Sequence, residues 1–169
     1  MTMRKTVRQC GLWVSLLLVL SACAAGMSSE ARSRITLETP FAELQGQPQQ
    51  YMGETVMLGG TIIASQVMDG TTEVTVLQSA LDHNDRPLQD DQSAGRFLVR
   101  TDQFLDPALY PEGTAITVVG RLVETQQRLI GSMPYQYPVI VPLEIKKWPK
   151  EQPDRGPRFH FGIGVGTRF

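Results

Sequence analysis

Five stretches of this chain alternate apolar and polar residues with a period of two, which confines it to a fold built from strands. In the first, Val56 to Ile63, Val56, Leu58, Gly60 and Ile62 share one face and Met57, Gly59, Thr61 and Ile63 the other, so both faces are rather apolar. Gly59-Gly60 inside it predicts a bulge or sharp bend, as the corners of small barrels require. Asp69-Gly70 is a hairpin-turn signal, and Thr72 to Leu77 is the returning strand. Arg96 to Arg100 reads as the third strand and Ala115 to Glu124 as the fourth, with Ile116, Val118, Gly120 and Leu122 on one face. The fifth, Val139 to Trp148, is expected to turn Val139, Val141, Leu143 and Ile145 inward and Glu144 and Lys146 outward. Pro142 cannot donate to a ladder and belongs at an edge or a bulge.

Shorter signals fill the intervals. Thr39-Pro40 reads as a cap followed by proline at the first helical position, opening a helix Pro40–Leu44 that offers Phe41 and Leu44 to a core. Ser79 to Gly95 reads as a long polar loop. Phe104 to Tyr110 reads as a loop with one helical turn, and Gly131 and Pro134 interrupt the chain before the fifth strand. The pattern predicts a mainly β fold, a small OB-like barrel of five to six strands with short helical elements, with a β-sandwich as the alternative.

The N-terminus carries a different message. Arg4, Lys5 and Arg8 precede the apolar stretch Gly11 to Leu20, which is followed by small residues and a cysteine. That order is a secretory leader, and the apolar run is well short of the roughly 20 residues a spanning helix needs. Leu20-Ser21-Ala22-Cys23 resembles the bacterial lipoprotein box. The resemblance implies cleavage between Ala22 and Cys23, with a diacylglyceryl group on the Cys23 sulfur and an acyl chain on its amine. It also implies that the chain meets the lipoprotein-processing and sorting machinery. Ala24 stands where an aspartate would favour retention in the inner membrane, so the expected address is the outer membrane, with the lipid as anchor.

Residues 1–22 are therefore assigned to the leader and 23–34, small and polar, to a flexible tether. The barrel domain is assigned to 35–148, a linker to 149–158 and a glycine- and aromatic-rich tail to 159–169. Three of the 16 basic side chains and none of the 17 acidic ones lie in the leader, leaving a mildly acidic remainder that argues against a nucleic-acid surface. Cys10 and Cys23 are the two cysteines, and with one in the leader and one lipidated no disulfide is expected.

Little in the chain has the composition of a catalytic site. His83 and His160 are the two histidines, no Gly-x-Ser-x-Gly elbow occurs, and Gly59-Gly60 is not followed by the helix start and lysine of a phosphate loop. Asp82-His83-Asn84-Asp85 has oxygen and imidazole donors but no converging ligand elsewhere, and it reads as a solvated turn rather than a metal site. Arg96 and Asp106 are expected to form an ion pair that holds the long loop. No catalytic residue, metal or cofactor is expected besides the covalent lipid.

Tyr135 and Tyr137, near a barrel rim, have two readings: a stacking surface for an extended sugar or peptide, or caps on the core beside the fifth strand. In the tail Phe159, Phe161, Ile163, Val165 and Phe169 share one parity, as in the last strand of an outer-membrane barrel. It is read as pairing with its own domain, augmenting an outer-membrane barrel partner by strand addition, or remaining unordered.

Several separate blocks resemble one known family. They are Gly59-Gly60-Thr61-Ile62, Gly95-Arg96-Phe97-Leu98-Val99, Phe104-Leu105-Asp106-Pro107, Tyr110, Gly113, Thr117-Val118-Val119-Gly120, Ile130-Gly131, Tyr135-Gln136-Tyr137-Pro138-Val139-Ile140 and Trp148-Pro149. With the lipid box they resemble the Slp family of Gram-negative outer-membrane lipoproteins, named for starvation-inducible members. The resemblance implies a lipid-anchored, non-enzymatic protein of envelope maintenance or stress adaptation, and it carries over no catalytic residues.

Overall fold

The computed structural model describes residues 26–90 and 92–150. Cys23 and Ala22 of the leader junction, and Phe159, Phe161 and Phe169 of the tail, lie outside the described residues. In chain order come α1 (Ser29–Ser33), α2 (Phe41–Gly46), a 3₁₀ turn (Pro48–Tyr51), β1 (Thr55–Met68), β2 (Thr71–Ser79), β3 (Arg96–Thr101), β4 (Ala115–Ile130) and β5 (Met133–Lys147). The strands close into a barrel in the order β1-β2-β3-β5-β4. Every pair is antiparallel except β3 with β5, whose parallel seam has two rungs, Leu98 with Val139 and Val99 with Ile140. Five strands closed in this order are the expected OB-like barrel, and the sandwich alternative falls away because one sheet meets itself.

The core is what the alternation foretold on β1 to β4. Val56, Leu58 and Ile62 meet Val74, Val76, Phe97, Val99, Ile116, Val118, Leu122 and Ile140 in one buried cluster. Phe41 and Leu44 of α2 plug the end where β3 begins, with Phe41 tilted against Phe97 at 5.9 Å between ring centres. Pro40, rather than Thr39, is the N-cap, and the Thr39 hydroxyl donates instead to Glu43 Oε2.

Gly60 has a steric reason: a Cβ there would run into the Leu77 carbonyl of the neighbouring strand. The irregularity in β1 lies a little further on than the glycine pair suggested, between Ile62 and Ala64 opposite β2. In the β4–β5 ladder the register shifts between Val119 and Gly120, where Gly120 faces Pro142. Pro142 therefore sits at a bulge, as its missing donor demands. That bulge also corrects the expected facing of β5. Ile140 is buried while Val141 and Leu143 are exposed, because the extra residue resets the parity.

Two further departures shape the surface. β4 and β5 run past the barrel as a long hairpin turning at Gly131, so the stretch read as an interruption is a tight turn whose strands pair up to Ile130 and Met133. One face of this arm covers outward side chains of β2 and β3: Tyr137 and Val139 pack on Leu98, with Ile130 and Tyr135 beside them. The second departure concerns the segment read as a flexible tether, residues 23–34. From Met27 on it is ordered against the barrel, since Ser28 Oγ caps α1 by accepting from Ala31 N and Met27 and Ala31 are buried against Val119. Small residues there allow close packing, a role composition alone does not separate from flexibility.

Candidate functional site

The chemistry that gathers most polar groups in one place is the attachment of this N-terminal segment to the barrel wall. It begins with the Asp82–Arg86 turn. Asp82 Oδ1 accepts from Asn84 N at 2.7 Å and Arg86 N at 2.9 Å, and a bridge pairs Leu81 with Pro87. The Arg86 amide above all, with the Asn84 amide, holds the Asp82 carboxyl below its usual range. This side-chain-to-backbone turn drives Asp85 into the left-handed region at φ 64°, which a short polar residue tolerates. His83 Nε2 lies beside the Asn84 side-chain amide, 2.9 Å away. Among the described residues no set of three or more His, Cys, Asp or Glu side chains converges as metal ligands.

Asp85 is the hub, only 4% exposed. Its Oδ2 accepts from Met27 N at 2.8 Å and from Arg32 Nη2. Its carbonyl accepts from the buried Thr117 hydroxyl on β4, which itself accepts from Trp148 Nε1 at 2.9 Å. From β5, Lys146 Nζ donates to Gly26 O, and Glu144 accepts from both Ser28 N and Ser28 Oγ. Lys146 Nζ lies 4.8 Å and the Arg86 guanidinium 5.8 Å from the Trp148 ring centre, while Arg86 Nη2 donates to Pro149 O at 2.8 Å. Residues 26–32 are thus clamped by the 82–86 turn, β4 and β5 together. Such a site fixes residues 26–32 in one orientation against the barrel wall.

A second polar cluster fastens the β4–β5 arm. Glu73, 2% exposed, accepts from Arg100 Nη2 at 2.9 Å and is paired with Arg128 Nη2 at 2.7 Å. Arg100 also reaches Glu124, and Glu73 first of all raises the Arg100 pKa further above its ordinary value. The expected Arg96–Asp106 pair does not form: Asp106 Oδ1 accepts from Ala108 N at 2.8 Å, and Arg96 donates its backbone N–H to the Tyr135 hydroxyl 39 positions on. Tyr135 is half-buried beside the arm's small core, and Tyr137 lies within it. Tyr137 is 5% exposed, and the two rings meet edge to face at 4.7 Å as caps on the arm's small core. The sequence marked Asp85 only as part of a solvated turn, which the structure instead buries, and Glu73 not at all, because their partners lie 27 to 58 positions away.

A model of the outer membrane lipoprotein Slp family matches residues 20–163. The uncharacterized lipoprotein YeaY of Escherichia coli K12 is 30% identical over 131 residues, covering 78% of this chain and 67% of that protein. The outer membrane protein Slp of the same organism is 28% identical over 140 residues, 80% of this chain and 72% of its own length. An uncharacterized protein of Haemophilus influenzae is 29% identical over 130 residues, 76% of this chain and 70% of its own length. Among solved structures, a small single-stranded DNA-binding protein from Streptomyces coelicolor aligns at TM-score 0.39 and 13% identity, over 56% of this chain and 94% of that one. The family match takes in the whole barrel and reaches back to Leu20 at the start of the lipoprotein box, and by it the chain belongs to the Slp family of outer membrane lipoproteins.

Proposed function

We propose that the protein is held at the outer membrane by lipid on Cys23 and works there without catalysis, as an envelope-maintenance or stress-adaptation component. The observation that carries this reading is the clamp. Gly26, three positions after Cys23, is already fixed to Lys146, and the next residue to Asp85. A chain end oriented so tightly suits a protein whose attachment point matters more than a reaction centre. Two or more acyl chains give stable anchoring where one is marginal, at about 0.8 kcal/mol per buried CH₂.

Palmitate labelling and membrane fractionation of the wild type and of Cys23→Ser test it. The variant is expected to lose both label and membrane association, whereas unchanged labelling would overturn the assignment. The tail, 159–169, is the proposed second contact, with an outer-membrane barrel as its partner. Pull-downs with the full chain and with one ending at Pro157 are expected to differ in a co-purified barrel, and identical profiles would remove that contact.

A further inference from the structure

The two ends of the barrel differ in a way that the anchor alone does not explain. One end is stoppered by α2. At the other, β1 turns into β2, β3 leads to β4, and β5 leaves the sheet. That second end carries four exposed large apolar side chains: Val67 and Met68 on the β1–β2 hairpin, and Phe104 and Leu109, 69% and 59% exposed, in the β3–β4 connection. The loops are tied together and to the barrel. Leu105 N donates to Thr72 Oγ1 at 3.2 Å, and Lys147 Nζ donates to Leu109 O at 2.9 Å. Exposed apolar groups gathered on adjoining loops mark a contact surface rather than scattered surface hydrophobes.

The clamp says what that surface meets. Gly26 is held by Lys146, one residue before the end of β5, so the N-terminal segment leaves the barrel beside the same end. With Cys23 acylated, the leash from lipid to Gly26 is three residues, about 10 Å at full extension. A bilayer so close has this end within reach. We propose that the protein docks end-on against the lipid bilayer, with Phe104 and Leu109 inserted at the boundary between headgroups and acyl chains. This rests on the acylation of Cys23 proposed above.

The surroundings fit that occupant. Tyr110 lies at this end with Lys147 over its ring, an amphipathic ring and cation suited to a headgroup layer. Asp69, Asp102 and Glu112 are exposed on the same loops, so attachment works through apolar insertion rather than through attraction to anionic lipid.

The mature chain has no thiol besides acylated Cys23, because Cys10 lies in the leader. A single introduced cysteine therefore carries an environment-sensitive nitrobenzoxadiazole label without competition. Phe104→Cys reports on the proposed contact, and Ala42→Cys, exposed on α2 at the stoppered end, is the control. The full acylated proteins are reconstituted into phosphatidylcholine vesicles with bromine placed shallow or deep in the acyl chains. The label at 104 is expected to emit brighter and bluer and to be quenched by shallow bromines, while the label at 42 stays unquenched. Added phosphatidylglycerol is expected to leave the response at 104 unchanged. Equal responses at both positions, or none at either in a palmitate-labelled protein, would overturn end-on docking and leave the anchor standing. A response at 104 that needs phosphatidylglycerol and vanishes in salt would assign the contact to charge and overturn insertion. Absence of palmitate from the wild type would remove the anchor and the docking together.

Discussion

Replacing Asp85 tests whether the clamp is a built device. Its Oδ2 is the acceptor for the buried Met27 amide and for Arg32. Asp85→Ala leaves the Met27 N–H buried without that acceptor, a loss of about 1–3 kcal/mol. The Arg32 side chain is 45% exposed, so solvent screening holds its share below about 1 kcal/mol. Alanine at φ 64° adds about 1 kcal/mol of backbone strain, which glycine avoids. The sum for alanine is therefore about 3 kcal/mol, for glycine about 2, and for asparagine, which keeps an acceptor and tolerates the dihedral, about 1 or less. Hydrogen exchange of the amides over residues 27–32, with the full chain in detergent, reads these values directly. At about 1.4 kcal/mol per tenfold, alanine should lower protection by roughly a hundredfold and asparagine by less than tenfold. Equal losses for alanine and glycine would refute the strain argument, and unchanged protection in all three would refute the clamp.

Two more outcomes follow from the polar clusters. Glu73→Gln removes a 2%-exposed carboxylate from between Arg100 and Arg128, whose side chains are 28% and 30% exposed and stay partly hydrated. The expected loss is about 2 kcal/mol in urea unfolding. Adding Arg128→Gln should cost less than the sum of the single changes; strict additivity would mean the charges do not act as a group. Asp82 has a folded pKa below its ordinary 3.8, so it contributes stability above that value, lost as pH falls through the lower folded pKa. Asp82→Asn keeps an acceptor for the turn and removes the titration. The variant's Tm should therefore fall less steeply than the wild type's as pH drops below the ordinary 3.8, and parallel curves would deny Asp82 that role.

The barrel was readable in the sequence wherever local rules act alone. Val74 and Val76 alternate in a strand opened by Asp69-Gly70, and Phe41 and Leu44 share one face of a short helix. The outer half of the β4–β5 hairpin was hidden because Gln126, Gln127 and Arg128 break the apolar alternation, which carries the fourth strand only to Glu124. Arg128 instead answers Glu73, 55 positions earlier in the chain, on a face that only the closed barrel creates. The clamp was hidden for the same physical reason. Ser28 and Met27 show nothing of Glu144 or Asp85 until the strands are in place. At β5 the error was one of phase: Pro142 pointed to a bulge, and the bulge itself moved Val141 and Leu143 to the outside.

The seam between β3 and β5 has a kinetic consequence. With two parallel rungs it is the shortest junction in the barrel, so little pairing offsets its loop closure and it closes late. It is also the junction over which Tyr135 and Tyr137 lie, with the Glu73 cluster holding the same arm down. Opening the barrel at its weakest line first requires lifting that arm. The arm is a bolt drawn after the door has shut: it does little to bring the strands together, but it slows their parting, so the lifetime of the folded barrel depends on contacts that form last.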